Sequence, residues 1–451
     1  MNIQLSDNFT YSKLIKFTIP TIFMMIITSV YGVVDGLFVS NVVGSNAFAA
    51  VNLIMPVIMI GSSIGFMFGS GGGALVSKTI GEGNTKRANE IFSMLVYLLI
   101  ILGTIITILG IVFIKPISIA LGADDTILND CIVYGRVLFI GLVPFLLQNC
   151  FQSFLVVAEK PTMGLVISIA AGITNIVLDY LLIYVFKMGV FGAGLATTLS
   201  QVVGGFIPLV YFMCKNNSPL KLTKAKFDLK PIVQSCINGS SEMFTNLSMS
   251  LVNMLYNLQL IKFAGNDGVV AYGVIMYISF IFSGVYMGYS IGITPIVGYH
   301  YGANNKDELK SLLKKSLVLV LTSALVLTTI AELSSEMLAK VFVSYDNNLL
   351  DLTTNAIRIF SLSYLINGFN IFASAFFTGL NNGFVSGAIS FLRTFVFQII
   401  MIYLLPAIFG LNGIWSSVIV AEILSLVVSI GFFAKNNHKY GYMNNKCTKA
   451  A

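Results

Sequence analysis

The run Phe48–Ser77, FAAVNLIMPVIMIGSSIGFMFGSGGGALVS, carries no charged residue. A helix crosses the hydrocarbon of a bilayer with about 20 mostly apolar residues, so this segment is long enough to span one. A second charge-free run, Val269–Tyr299, VVAYGVIMYISFIFSGVYMGYSIGITPIVGY, begins 221 residues later. At that offset Ala50 meets Ala271, Ile54 meets Ile275, Met55 meets Met276, Ser62 meets Ser283, Gly71 meets Gly292 and Val76 meets Val297. The register holds outside the two runs. Gly44 meets Gly265, Gly81 meets Gly302, Asn84 meets Asn305, Gly189 meets Gly410 and Gly192 meets Gly413, while Arg136 meets Arg358 at an offset of 222. Glycines and loop residues match in place as well as aliphatics, so the chain reads as two copies of one unit.

Composition agrees with a lipid solvent. Of 451 residues 56% are hydrophobic and 10% charged, with mean hydropathy +0.88. A soluble domain carries about 25% charged residues. Further charge-free runs lie at Ile91–Ile114, Phe191–Cys214 and Ile359–Leu392. The pattern predicts spans at 14–40, 48–76, 91–114, 131–158, 162–186, 191–214, 231–262, 269–298, 312–333, 355–380, 384–408 and 411–434. A lipid-facing β-barrel would need short strands of alternating polarity, which these runs are not. The expected fold is an all-α integral membrane protein: twelve transmembrane helices in two six-helix lobes related by a pseudo-twofold axis. Residues 1–214 form the N-lobe, 215–230 an inter-lobe linker, 231–435 the C-lobe and 436–451 a tail. Parallel repeats of this kind are a hallmark of secondary transporters.

Lysine and arginine in the connections orient such a bundle. With the N-terminus in the cytoplasm, 19 of the 26 basic residues fall inside, 4 outside and 3 within spans. Both termini and the linker are therefore expected in the cytoplasm. The net charge of +7 is then a topology signal and not a nucleic-acid surface. The five cysteines stand singly, so no disulfide framework is expected. His300 and His438 are too far apart in sequence to suggest a metal pair. No cleavable signal pattern precedes the first span, and no cofactor is expected.

Ionisable residues inside spans are functional candidates by default. Asp35 lies in span 1 and Asp179 in span 5, with Asn175 one turn before it, and Thr197 lies in span 6. Asp35, Asp179 and Thr197 sit roughly 7–11 Å below the outer surface at 1.5 Å per residue. Two carboxylates, an amide and a hydroxyl at one depth suit either Na+ or a shared proton. The second half puts Tyr256, Phe397, Met401 and Val418 in their places. It carries Glu242, Arg393 and Glu422 instead; Glu242 has no obvious partner and would attract a cation. Arg136 and Arg358 are placed to snorkel to the interface. Pro20 removes a hydrogen bond from span 1 and permits a bend. The glycine run Gly69–Gly73 lacks the lysine of a phosphate loop and reads as helix packing.

With these residues in view, the chain resembles the MATE family, the multidrug and toxic compound extrusion transporters, over roughly residues 10–435. The likeness rests on two sets of six spans, Pro20 with Asp35, the run Asn175-Ile-Val-Leu-Asp179, the run Gly192-Ala-Gly-Leu-Ala-Thr197, and the loops Gly81-Glu-Gly-Asn84 and Gly302-Ala-Asn-Asn305. The resemblance implies antiport: H+ or Na+ enters as an organic, often cationic, compound leaves by alternating access. It implies an ion site at Asp35, Asn175, Asp179 and Thr197, with Pro20 as hinge. It also implies a functional monomer in a cell membrane of bacterial inner-membrane type. Other members place coupling carboxylates in the C-lobe, where only Glu242 fits and span 10 has no carboxylate. The superfamily also holds lipid-linked sugar flippases, the alternative function. An intramembrane enzyme would need a nucleophile with a base, and a channel a symmetric filter; neither pattern is present.

Overall fold

A peptide group in hydrocarbon has no water to bond, and a helix satisfies it internally. The computed structural model describes residues 3–442, apart from the side chains of Val33, Leu37, Ser40, Asn41 and Ser45. Most of the expected tail's last residues, with Cys447, lie outside that range. Among the described residues the chain forms thirteen α-helices and three short π-helical segments. In the N-lobe these are α1 (Tyr11–Phe38), α2 (Ser45–Gly81), α3 (Thr85–Ala120), α4 (Leu128–Ile140), α5 (Leu142–Val157), α6 (Pro161–Asp179) and α7 (Gly189–Met213). The C-lobe has α8 (Leu229–Gly302), α9 (Lys306–Val343), α10 (Asn347–Ser361), α11 (Tyr364–Gly379), α12 (Gly383–Phe391) and α13 (Phe397–Tyr440).

Eight helical stretches are long and apolar enough to cross a membrane, and two bent pairs add two more crossings. Two of the eight, Leu229–Gly302 and Gly383–Tyr440, have 74 and 58 residues. Each is well over twice the roughly 20 residues that one crossing needs. They fold back at Gly265 (φ 62°) and Gly410 (φ 58°), which brings the total to twelve. Their partners in the first repeat, Gly44 (φ 119°) and Gly189 (φ 58°), also have positive φ. Only glycine enters that region without steric cost, so the glycine matches mark the four hairpin turns at one end of the bundle.

The structure adds a bend that the apolar pattern does not show. Spans 4 and 10 are each broken, by 52° between α4 and α5 and by 46° between α10 and α11. The last helix also reaches Tyr440, so residues 436–440 are helical where tail was expected.

The repeat relates contacts as well as backbone. A Cβ on Gly81 would collide with the Tyr299 carbonyl, and one on Gly302 with the Lys78 carbonyl. These are the same contact under the offset of 221, as at a twofold, self-complementary interface. Gly71 similarly lies against Ser235 and Gly239 of α8, and its match Gly292 against Thr18 and Thr21 of α1. Gly69, in the same glycine run, lies against Cys150 of α5. The run is a packing surface for two neighbours.

These inter-lobe contacts gather towards the end of the bundle where α1 begins and α13 ends, here termed the terminal face. There the loops 81–84 and 302–305 repeat one another. Gly83 (φ 82°) and Asn304 (φ 55°) are left-handed, and Asn84 and Asn305 cap the helices that follow by accepting N–H bonds from Arg87 and Glu308, each at 3.1 Å. A strap before α1 crosses the same face. Its Leu5 N–H donates to Glu159 Oε1 of the N-lobe at 2.8 Å, and its Phe9 N–H donates to Glu308 Oε1 of the C-lobe at 2.8 Å. Lys315 Nζ donates to the Phe9 carbonyl, and the Leu5 and Phe9 side chains are buried. The linker is fixed to the N-lobe by Arg87–Asp228 and by Lys221 N–H to Asn89 Oδ1 at 2.7 Å.

A candidate ion-coupling site in the N-lobe

Asp35 lies near the end of α1 and Asp179 is the last residue of α6. π-helical segments follow both, Val39–Val43 and Tyr180–Val185. π-Segments are uncommon and concentrate at functional sites. Both carboxylates are buried, and they face each other within hydrogen-bonding reach. Yet Asp35 Oδ1 and both Asp179 oxygens have no hydrogen-bond donor. Asn175 is buried one turn before Asp179, with its Oδ1 also unpartnered. Two ionised carboxylates are acceptors only, so the pair is satisfied by a shared proton or a bound cation and by nothing else among the described residues.

The rest of the predicted set is placed as follows. Thr197 donates to the Ala193 carbonyl of its own helix at 3.1 Å, which leaves its lone pairs free. Pro20 is buried inside α1. It lies where Gly288 and Gly292 of α8 press on Thr18, Thr21 and Ile22. Glu242 is partly buried, and Arg393, the cation nearby, is ion-paired with Glu422 instead.

Several residues around the carboxylates escaped the sequence reading. Tyr31 lies beside Gln148 and within electrostatic reach of Asp35. Tyr134 is fully buried with an unpartnered hydroxyl, in the field of both carboxylates. Gln201 Oε1 is buried and unpartnered beside the α4–α5 break at Gly141. The available signal was amides in otherwise apolar spans.

The C-lobe is polar but closed on itself. Arg393 Nε donates to Glu422 Oε1 at 2.8 Å, and a second guanidinium nitrogen donates to Asn367 Oδ1 at 2.7 Å. Asn370 donates to Glu422 Oε2 at 2.7 Å and accepts from Ser429 at 3.1 Å. Arg358 is exposed and donates to Ser335 of α9 at 3.1 Å. One lobe therefore holds two carboxylates with no cation, and the other a satisfied ion pair.

Comparison with known proteins places this arrangement. The MatE family model matches twice, at residues 20–181 and again at 242–404. The chain belongs to the MatE family. The two matches start 222 residues apart, which is the repeat itself, and this MatE chain is a membrane transporter and not an enzyme. It is 24% identical over 413 residues to the multidrug export protein MepA of Staphylococcus haemolyticus, covering 91% of this chain and 90% of that protein. It is 24% identical over 425 residues to MepA of Staphylococcus aureus, covering 93% and 92%. Among solved structures it matches an outward-facing multidrug resistance MATE transporter of the MOP superfamily with TM-score 0.91 and 24% identity, covering 97% of this chain and 98% of that one. A MATE transporter in the straight conformation matches with TM-score 0.91 at 22% identity, covering 97% and 98%. A MOP superfamily transporter from Pyrococcus furiosus, whose reversed pocket polarity suggests a different function, matches at 0.89 and 23%, covering 96% and 97%. A shared fold does not fix the substrate.

Proposed function

We propose that this MatE chain is a multidrug efflux antiporter of a bacterial plasma membrane. It works as a monomer with both termini in the cytoplasm and exports organic, often cationic, compounds in exchange for H+ or Na+. The observation that carries the reading is the Asp35–Asp179 pair, buried and without a donor or cation. A buried polar group left unpaired costs about 1–3 kcal/mol, and more when charged. Arrival of an ion from outside relieves that cost, which gives the free energy needed to favour one lobe arrangement over another. Lobes closed at the terminal face correspond to the outward-open state of alternating access. Asn175 and Thr197 add neutral oxygens for Na+ or for a proton-bearing carboxyl, and bending at Pro20 moves Asp35 relative to Asp179.

The flippase reading gains no support from the basic residues. Arg393 is neutralised by Glu422, which leaves it poorly suited to a pyrophosphate. The test is export of ethidium from vesicles containing the chain, driven in turn by a pH gradient and by a Na+ gradient. Acceleration by either gradient supports antiport; transport indifferent to both refutes it.

A further inference from the structure

Four helix faces continue inward from the carboxylates towards the terminal face. On α1 the face runs Asp35, Tyr31, Thr28, Met24; on α6 it runs Asp179, Asn175, Gly172, Ser168; on α7 it runs Thr197, Gln201, Gly204, Pro208. The spacings of four and three keep each set on one side of its helix, and the last member lies roughly 16 Å inward of the first at 1.5 Å per residue. The fourth wall is α5, with Gln148 and Gln152 one turn apart. At the inward end these faces enclose a cavity lined by Gln148, Gln152, Ser168, Met24, Gly204 and Pro208, with about 10 Å³ open to the centre of a water molecule. That is room for about one water.

Phe151, Leu155 and Ile167 complete a mainly apolar lining, into which a few polar groups bring oxygen. Gln148 and Gln152 are buried, 5% and 6% exposed, and the Oε1 of each has no donor. Pro208 has no N–H, so the carbonyl four residues earlier, that of Gly204, loses its helical donor, and both residues line the cavity. Gly204 also admits the Gln148 side chain, since a Cβ there would lie 2.8 Å from Gln148 Nε2. Tyr31, on the α1 face between Asp35 and Met24, lies beside Gln148 and so adjoins both the cavity and the carboxylates. Gln152 and Ser168 play no part in the Asp35–Asp179 pair.

From this we infer that the N-lobe holds a second, neutral site for a monovalent cation, hydronium or Na+, at Gln148, Gln152, Ser168 and the Gly204 carbonyl, through which the coupling ion leaves the carboxylate pair towards the terminal face. The inference rests on the antiport reading and adds the ion's route. Met24 closes the inward end, lying near Gly164 and therefore beside Leu155. Pro20 is one turn further inward, so a bend there lifts Met24 from its seat.

The test uses the full chain in vesicles of phosphatidylethanolamine and phosphatidylglycerol, with ethidium transport driven by a pH gradient in one arm and a Na+ gradient in the other. The arm that responds names the ion. Gln152→Leu removes the amide oxygen at similar volume and suits an apolar interior. It is expected to slow gradient-driven transport about tenfold, the effect of deleting one needed polar partner, with ethidium binding and thermal stability unchanged. Gln152→Asn should recover most of that loss, and Ser168→Ala should slow the same arm. Wild-type-like rates in both Gln152→Leu and Ser168→Ala, while the wild type responds to a gradient, overturn the route and leave antiport standing. A wild type indifferent to both gradients overturns antiport and the route together.

Discussion

Asp35 and Tyr256 stand at the same position in the two repeats, and their surroundings treat them oppositely. Tyr256 donates to Gln398 Oε1 at 3.1 Å and stacks on Tyr272 with centroids 4.9 Å apart. Asp35 faces Asp179 and keeps a buried oxygen without a donor. The second repeat closes its polar site with neutral hydrogen bonds, and the first leaves its site open. A duplicated scaffold thus carries chemistry in one copy.

The open site is costly, so neutralising it should stabilise the protein. Asp179→Asn removes one of two facing charges and adds a donor for Asp35. We expect it to raise thermal stability by about 1–3 kcal/mol, the range for satisfying a buried polar group. Detergent melting curves of wild type and variant at neutral pH check this; a lower melting temperature contradicts it.

The C-lobe network predicts the reverse. Arg393→Leu leaves Glu422 buried without its cation and should cost about 3–5 kcal/mol. Glu422→Leu should cost a comparable amount, whereas the double variant should recover most of the loss. A double-mutant cycle on melting temperature measures the coupling. Additive losses would show that the two side chains act separately.

Packing at the terminal face predicts a lock. A Cβ on Gly298 would lie 3.4 Å from the Ser77 Cβ, close to the usual 3.5–4.5 Å of a disulfide. In a background without other cysteines, Ser77→Cys with Gly298→Cys should cross-link on mild oxidation and stop ethidium transport, and reductant should restore it. Full transport by the cross-linked protein would show that the lobes do not separate here.

Glu159, which holds the strap at Leu5, lies in a loop outside the spans. Burial raises its pKa above the ordinary 4.5, against the opposing effects of the Leu5 N–H and Lys160, while nearby Asp7 adds to the rise. A raised carboxyl pKa means that Glu159 holds its proton more firmly with the strap docked than with the strap free. Docking is then strongest at low pH and weakens as pH climbs through the raised value. A spin label at the exposed Ser6 should become more mobile as pH rises from 4.5 towards alkaline values. Glu159→Gln, neutral and still an acceptor, should hold the label still throughout; a pH-independent wild type contradicts this.

Much of this architecture is written in one dimension. Long charge-free runs can only be helices in lipid, and the offset of 221 already paired the glycines that turn out to have positive φ. The breaks in spans 4 and 10 were hidden because α4–α5 and α10–α11 stay apolar across the bend, and hydropathy does not register direction. The facing of Asp35 and Asp179 joins residues 144 positions apart in the chain, so the sequence offered only their shared depth. Gln148, Gln152 and Gln201 were legible as amides in apolar spans, but which helix face met the carboxylates required the packing.

The central claim is that Asp35 and Asp179 couple an ion to export. It is tested most directly by ethidium efflux from vesicles holding wild type or Asp179→Asn, with equal protein insertion and an imposed pH or Na+ gradient. The account predicts that a gradient accelerates the wild type and leaves the variant at its gradient-free rate. Gradient-driven efflux by Asp179→Asn at the wild-type rate would contradict it.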